Sequence, residues 1–295
     1  PAAPAPAGER RSYADVVKAV APAVATIRTE GSAGASTRVA PPDEDLFRRF
    51  FGDRVDPPFN TPQDRPQPFR RGGLGSGVIV SRDGYVLTNH HVIAGADRIT
   101  AELTDGRSLP ATLVGADEPS DLALLKVDAG DLHALPFGDS DQVEVGDVVL
   151  AVGNPLGVGQ TVTMGIVSAK GRSTTGPGSG TYEDFLQTDA PINHGNSGGA
   201  LVSIAGELVG INSQILSPSS GNIGIGFAIP AAMARSVMAQ LVDHGDVRRG
   251  MLGVTVQSLT SDMAASLGLS SMEGALVNSV QNGSAAERAG VRRGD

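Results

Sequence analysis

Residues 195–202 read GNSGGALV, and the interpretation of this stretch decides the fold. Its first five residues match Gly-x-Ser-x-Gly, a pattern that two unrelated hydrolase folds carry around a nucleophilic serine. In an α/β-hydrolase, the acid and the histidine follow that serine in the chain. The only histidine after Ser197 is His244, at the end of a predicted helix, and the residues directly after Ser197 predict a hairpin. The α/β-hydrolase interpretation therefore fails.

The opposite order, with a histidine and an acid upstream of the serine, is present in the chain. Residues 88–93 read TNHHVI, and residues 120–127 read SDLALLKV. In all-β barrel enzymes with this order, an imidazole takes the proton of the serine hydroxyl and the acid holds the imidazole in one tautomer. The order predicts an all-β fold with Ser197 as the nucleophile.

The residues next to each candidate indicate which acid takes part and how the chain turns at Ser197. Fifteen acidic residues lie between His91 and Ser197, so spacing does not select one of them. Asp121 is the candidate because it borders the apolar run 122–127, where a carboxylate can be shielded and still meet a histidine. Glycines around the serine allow a tight turn in which the N–H groups of Gly195 and Ser197 point at one oxyanion.

From residue 75 onward, short apolar runs alternate with turn residues, which is typical of antiparallel strands. Pairs of runs flank Asp83-Gly84 and Asp105-Gly106 and predict hairpins. One helix is predicted from Pro230 to a stop at Gly245, with Val242 on its apolar face. No helical stretch separates the runs, so the chain is predicted to be antiparallel all-β. The predicted strands are 24–28, 78–80, 85–87, 99–103, 109–114, 122–127, 148–152, 162–169, 201–204 and 207–212.

Composition narrows the possible partners. Acidic residues outnumber basic ones by 32 to 23, and the net charge of −9 argues against nucleic acid. The absence of cysteine excludes disulfides, thiolate metal sites and a cysteine nucleophile. No apolar run reaches the roughly 18 residues of a membrane-spanning helix. His90 and His91 do not predict a metal site, since neighbouring strand residues point to opposite faces.

Four motifs together resemble those of the HtrA/Deg serine proteases, a chymotrypsin-like family of the bacterial envelope and of organelles descended from bacteria. They are TNHHVI, SDLALLKV, GNSGGALV and, at residues 221–230, GNIGIGFAIP. The resemblance implies two six-stranded antiparallel barrels with a C-terminal helix in residues 12–246, and a periplasmic location. The roles that it implies are His91 as general base, Asp121 as orienting acid, Ser197 as nucleophile, and Gly195, Asn196 and Ser197 as the oxyanion loop.

The same resemblance implies how a substrate binds. Ser213, Gln214 and Ile215 would pair with an extended chain. Ile192 would line a small apolar primary pocket together with Ile215. Cleavage after small aliphatic residues is the expected consequence.

Two segments of the chain carry no core pattern. Residues 1–11 are rich in Pro and Ala and predict a flexible tether. Residues 32–73 lose periodicity, contain seven prolines and predict a long mobile loop. The family resemblance implies homotrimers or larger homo-oligomers, built by the N-terminal segment, with the loop reaching a neighbouring subunit through Phe47, Phe50 and Phe51.

Two positions depart from the family pattern. His194 stands where members usually carry Arg or Pro, and a titratable group there predicts a loop conformation that changes with pH. His90 stands where Asn often precedes the base. A pairing shifted by one residue would make His90 the base, although motif position favours His91.

Residues 250–295 resemble the first part of a PDZ domain. GMLGV at residues 250–254 matches the loop whose backbone N–H groups bind a peptide carboxylate, and SAAERAG at 284–290 matches the short helix. The sequence ends at Asp295, before the groove-lining helix, so an incomplete PDZ domain is expected. The implied carboxylate loop comprises Met251, Leu252, Gly253 and Val254.

These features predict a serine endopeptidase that degrades unfolded proteins without ATP, because an extended chain can pair with a β edge and a folded one cannot. Neither a metal nor an organic cofactor is expected. The alternative is a chaperone-like protein that binds unfolded polypeptides while its site rests in an inactive form.

Overall fold

The structure is a computed structural model that describes residues 12–32, 70–154, 159–175, 180–193, 195–215, 223–271 and 274–295. The predicted tether, His194, and residues 33–69 of the predicted loop, which include Phe47, Phe50 and Phe51, lie outside this description. The described residues form two compact units, one ending at Val247 and the other beginning at Arg248. No helix among them is long and apolar enough to span a membrane.

Six of the described strands close into a first antiparallel barrel. They are β1 (Val24–Ser32), β2 (Arg70–Ile79), β3 (Tyr85–Thr88), β4 (Arg98–Glu102), β5 (Ser108–Asp117) and β6 (Leu122–Val127). Around the barrel the order is β1-β2-β3-β6-β5-β4. Thr88 at the end of β3 lies opposite Ala123 near the start of β6. The residues that follow β3 and those that precede β6 therefore meet at one end of the barrel.

Six further described strands close into a second antiparallel barrel. They are β7 (Val148–Gly153), β8 (Thr161–Arg172), β9 (Phe185–Thr188), β10 (Ala200–Ser203), β11 (Leu208–Ile215) and β12 (Gly226–Pro230). The order is β10-β11-β12-β9-β8-β7. The hairpin predicted after Ser197 is present as β10 and β11, with Ala200 opposite Ile211. The prediction of an all-β fold with two six-stranded barrels is confirmed.

The strand predictions fail at two places in the second barrel and one in the first. Strands β9 and β12 were not predicted, because both are short and β12 contains Gly226 and Pro230, which usually interrupt strands. Pairing of Gly226 with Thr188 joins them in the barrel. Residues 32 and 70–73 were predicted as loop, but residue 32 belongs to β1 and residues 70–73 extend β2 along it.

Three described helices accompany the barrels: α1 (Ala14–Val20), α2 (His90–Ile93) and α3 (Ala231–His244). Helix α3 starts at Ala231, one residue after the predicted start, because Pro230 ends β12, and it stops at Gly245, as predicted, where φ is 76°. Val242 was expected on its apolar face but is 42% exposed, because the buried stripe consists of Ala231, Ala234, Val237 and Leu241. The strand expected at His90 and His91 is wrong, since both lie in the helical turn α2.

The second unit has its own small sheet. Its described elements are β13 (Val254–Ser258), α4 (Ser261–Ser266), β14 (Ala275–Val280) and α5 (Ala285–Arg288). Strands β13 and β14 pair antiparallel, with Val254 opposite Val280. Helix α5 covers part of the predicted SAAERAG helix and is capped by the Ser284 side chain, which accepts the N–H of Glu287 at 3.1 Å.

Strand β6 is apolar on both faces because it lies between two cores. Leu122 and Leu124 pack in a layer that includes Val152 of the second barrel, while Ala123 and Leu125 fill the interior of the first barrel. This arrangement explains why the run after Asp121 does not alternate with polar residues.

We expect Leu124→Ala to lower the free energy of unfolding by about 2–5 kcal/mol, because Leu124 is fully buried and its truncation leaves a cavity. Leu113→Ala on the neighbouring strand β5 is the control, since Leu113 is 50% exposed and the same deletion should cost well under about 1 kcal/mol there. Denaturant unfolding of both variants measures the difference. Equal losses would contradict the assignment of Leu124 to a shared core.

Candidate active site

The histidine after β3 and the acid before β6 are in direct contact. His91 Nδ1 lies 2.9 Å from Oδ1 and 2.8 Å from Oδ2 of Asp121. The backbone N–H of His91 donates to Asp121 Oδ1 at 3.0 Å. A carboxylate on Nδ1 keeps the proton on that nitrogen, so Nε2 is the nitrogen that can accept another proton. His90 contacts the same acid through its backbone, with its N–H 3.1 Å from the Asp121 carbonyl.

Asp121 has a left-handed backbone, with a φ of 54°, and its neighbours stabilise this conformation. The Asp117 carboxylate accepts hydrogen bonds from the N–H of Ser120, at 3.2 Å, and from the Ser120 hydroxyl. The Asp121 carbonyl accepts from Asn89 Nδ2 at 3.0 Å. Neither Asp117 nor Asn89 stood out in the sequence, because short polar residues beside turns are common and carry no spacing signal.

The His91–Asp121 pair is electrostatically coupled. Burial works against protonation of the imidazole, but the charge and hydrogen bond of Asp121 outweigh it and raise the pKa of His91 above 6.5. Burial likewise favours the neutral carboxyl group, but the charge and hydrogen bonds of His91, with one from Ser213, hold the pKa of Asp121 below 3.8. At neutral pH the carboxylate is therefore charged, and it stabilises an imidazolium beside it.

Ser213 of β11 connects this pair to Ser197. Its hydroxyl donates to Oδ2 of Asp121 at 2.9 Å. Its backbone carbonyl accepts the Ser197 hydroxyl, also at 2.9 Å. Within the described part of the chain, no hydrogen bond joins Ser197 Oγ to His91. The structure thus brings all three residues to one site, with the Ser197 proton directed at Ser213. The sequence assigned Ser213 to substrate binding and offered no sign of its contact with Asp121.

The loop before β10 turns sharply at Gly195 and Gly198, whose φ angles of 91° and 80° disfavour any other residue. Asn196 is 2% exposed, and its N–H donates to the carbonyl of Asn193 at 3.0 Å. The N–H groups of Gly195 and Ser197 have no acceptor among the described residues. These two groups are the donors that the loop can offer to a ligand oxygen.

Ile192 is buried and packs directly against Gly226 of β12. It is 1% exposed, and a Cβ on Gly226 would lie 3.0 Å from its Cδ1. Gly226 pairs with Ile215 across β11 and β12. Ile192 therefore fills the space over Gly226. The side chains of Gln214 and Ile215 lie outside the described residues.

The predicted carboxylate loop lies at the start of the second unit. Met251 and Leu252 are 79% and 56% exposed, and Gly253 has a φ of 79°. The loop is tied to the rest of its unit by hydrogen bonds from Ala286 N–H to the Leu252 carbonyl and from Gln281 N–H to the Gly253 carbonyl, at 2.9 and 2.8 Å. Its role in binding a peptide stays a prediction.

The described ranges contain no candidate metal-binding site. Among those residues, no group of three or more His, Asp or Glu side chains is arranged to hold a metal ion. The chain has no cysteine.

Comparison with known proteins adds independent support. A family model described as a trypsin-like peptidase domain matches residues 75–211. A Haemophilus influenzae protein named probable periplasmic serine protease do/HhoA-like is 50% identical over 292 residues, which cover 97% of this chain and 62% of that protein. The Escherichia coli periplasmic pH-dependent serine endoprotease DegQ is 47% identical over 286 residues, or 96% of this chain and 60% of DegQ. The chain spans about three fifths of the length of these relatives.

Solved structures that resemble this chain are also proteases of the HtrA type. The HtrA-type protease AlgW with a decapeptide is 49% identical, with a TM-score of 0.71 over 96% of this chain and 83% of that one. The AlgW structure with a tripeptide is 47% identical, with a TM-score of 0.74 over 96% and 81%. With this identity over nearly the whole chain, and with two barrels that bring His91, Asp121 and Ser197 together, the chain belongs to the HtrA family of trypsin-like serine proteases.

Proposed function

We propose that this chain is a serine endopeptidase that cleaves unfolded polypeptides after small aliphatic residues, without ATP. The observation that carries the proposal is the hydrogen-bonded series from Ser197 through Ser213 to Asp121 and His91. This series supports the proposal because a hydroxyl, a histidine and a charged acid are the groups that acyl transfer needs. The names of the relatives support a periplasmic location.

The reaction begins when the Ser197 hydroxyl turns from the Ser213 carbonyl toward Nε2 of His91. Ser197 Oγ attacks the peptide carbonyl carbon while His91 takes the proton, and Asp121 stabilises the imidazolium. His91 then gives that proton to the leaving amine as the C–N bond breaks. Water, deprotonated by His91, hydrolyses the acyl-enzyme and regenerates the Ser197 hydroxyl.

Stabilisation of the developing oxyanion falls to the N–H groups of Gly195 and Ser197. A pair of oriented backbone donors acts on the charge that appears in the transition state and needs no reorganisation there. Loss of one such donor costs about 10²–10³-fold in kcat in enzymes of this kind.

Substrate binding would use the free edge of β11 beyond its pairing with β10. That pairing reaches Ile211, and the described residues place no strand on the same side of residues 213–215. An extended chain can add there by backbone hydrogen bonds, whereas a folded substrate has no free strand to offer. Because Ile192 packs closely over Gly226, we expect the pocket beside it to accept only a small side chain.

The proposal also includes an oligomeric state for the chain and a fold for its second unit. We expect homotrimers formed through the N-terminal segment and the predicted loop 32–73. We also expect residues 250–295 to form the N-terminal part of a PDZ domain, with Met251, Leu252, Gly253 and Val254 as its carboxylate loop.

The first test is Ser197→Ala with casein as an unfolded substrate. We expect the wild-type chain to cleave casein and the variant to lose cleavage by at least about 10³-fold, because no other group attacks the carbonyl. Equal thermal unfolding of both proteins shows that the fold is retained. If the wild-type chain binds casein without cutting it, the alternative of a chaperone-like binder is correct and the endopeptidase proposal fails.

The pH dependence follows from the raised pKa of His91. A general base must be neutral, so kcat/KM should fall as the pH drops through that pKa, with a midpoint above 6.5. Asp121→Asn removes the charge that raises the pKa, so the midpoint should move to lower pH while kcat falls by about 10⁴-fold. Measurement of kcat/KM against pH for both proteins is the test. A midpoint that stays in place would show that Asp121 does not govern the base.

Specificity should respond to Ile192. Ile192→Val removes one methylene from the space over Gly226, so the ratio of kcat/KM for Leu over Val at the cleaved position should rise by about tenfold. Ile204→Val is the control, since Ile204 lies at the end of the same barrel and is 41% exposed. Peptides that differ only at that position measure the ratio. Equal ratios in all three proteins would contradict a pocket limited by Ile192.

A further inference from the structure

Ser76 on β2 of the first barrel is a buried residue with direct hydrogen bonds to the loop that carries Ser197. It has no measurable exposure. Its hydroxyl lies 2.5 Å from the carbonyl oxygen of Gly195 and 2.9 Å from the backbone nitrogen of Asn154. Its backbone N–H donates to the carbonyl of Ser197 at 2.8 Å. One residue of the first barrel thus holds two carbonyls of a loop in the second.

The direction of the Ser76 hydroxyl proton is determined by its partners. The Asn154 N–H can only donate and the Gly195 carbonyl can only accept. The hydroxyl must therefore accept from Asn154 and donate to Gly195. Asn154 is held in turn from the first barrel, because its Nδ2 donates to Thr26 Oγ1. A polar chain from β1 thus ends at the Gly195 carbonyl.

Hydrogen bonds fix two peptides next to the proposed oxyanion donors: the peptide between Gly195 and Asn196, and the peptide between Asn196 and Ser197. The peptide between Gly195 and Asn196 is held at both ends, by Ser76 at its carbonyl and by the Asn193 carbonyl at its N–H. The carbonyl of Asn196 accepts from Gly199 N–H at 2.9 Å, which directs the opposite N–H, that of Ser197, away from the loop interior. Rotation of either peptide would therefore break a buried hydrogen bond.

Close packing leaves Ser76 little freedom to move. A Cβ at Gly77 would lie 2.8 Å from Val86 and one at Gly75 would lie 2.6 Å from Val92, so both neighbours of Ser76 must be small. The Ser76 carbonyl accepts the hydroxyl of Thr88 at 2.7 Å. The GSG sequence at 75–77 is thus explained by close contacts around β2.

We propose that Ser76 is a positioning residue that holds the Ser197 loop in the conformation that presents the Gly195 and Ser197 N–H groups. This inference rests on the proposed peptidase function, and it gives the first barrel a part in stabilising the oxyanion. Without the hydroxyl, the Gly195 carbonyl and the Asn154 N–H both lose a buried partner. The Gly195 carbonyl is then expected to rotate toward another hydrogen-bond donor, which changes the conformation of the loop.

The test compares Ser76→Ala with wild type on a small peptide substrate. We expect kcat to fall about 10- to 100-fold, because oxyanion stabilisation acts in the transition state, while KM changes by less than about threefold. Affinity for a peptide boronate, whose tetrahedral adduct places an oxygen at the oxyanion site, should fall by a similar factor. Affinity for the cleaved peptide product should not change. A rise in KM with kcat unchanged would overturn the proposal.

Ser140→Ala is the matched control. Ser140 is also a buried serine, 2% exposed, and its hydroxyl accepts the N–H of Ala232 at 3.0 Å at the start of α3. We expect this variant to lose a similar amount of thermal stability while kcat stays within about twofold of wild type. If Ser140→Ala lowered kcat as much as Ser76→Ala, general destabilisation would explain the loss and the proposal would fail.

Amide hydrogen exchange gives a readout that needs no turnover. Peptides that contain residues 195–198 should exchange at least about fivefold faster in Ser76→Ala than in wild type or Ser140→Ala, because the Gly195–Asn196 peptide is released. Unchanged exchange together with unchanged kcat overturns the positioning role. The cleavage comparison of wild type with Ser197→Ala decides the peptidase proposal separately, so failure of one proposal is not mistaken for failure of the other.

Discussion

The apolar layer between the two barrels is the constraint on which the rest of the structure depends. Leu122 and Leu124 of β6 pack there with Val152 of β7, and the layer continues through Phe227 of β12. Because burial of this surface holds the barrels in one relative position, residues far apart in the chain arrive at one place. Asp121 directly precedes β6 on one side of the layer, and Ser213 lies in β11 on the other, with its hydroxyl 2.9 Å from the Asp121 carboxylate. A change in barrel packing would separate them.

Hydrogen bonds and charges orient the side chains and loops that the apolar layer brings together. The Asp121 carboxylate keeps a proton on Nδ1 of His91 and raises the pKa of that histidine. A stronger base accepts a proton more readily but is neutral over a narrower pH range. The Ser76 hydroxyl acts on the other side of the site, where it holds a carbonyl rather than a charge. In the proposed mechanism these two first-barrel residues have different roles: Asp121 raises the pKa of His91, and Ser76 orients the loop that carries Ser197.

Strand and helix positions were predictable where local pattern and tertiary environment agree. The run 122–127 and the stop at Gly245 were predicted correctly, because an apolar run between turns and a glycine after a helix are local signals. Strands β9 and β12 were not, since four or five residues that include Gly226 or Pro230 become strands only by pairing with each other. His90 and His91 were expected in a strand, but the backbone hydrogen bonds to Asp121 stabilise a helical turn.

The sequence by itself determined the class of chemistry and its order along the chain. Ser197 between glycines, with histidine and aspartate upstream, excluded one hydrolase fold and indicated another, because these residue types and their order are read without coordinates. Only the tertiary structure decided which partners complete the site. Asn89, Ser76 and the hydroxyl of Ser213 act through hydrogen bonds to groups distant in the chain, and Asp117 acts through hydrogen bonds to Ser120. A hydrogen bond between distant residues leaves no periodic trace in sequence, so it becomes visible only when the barrels are packed together.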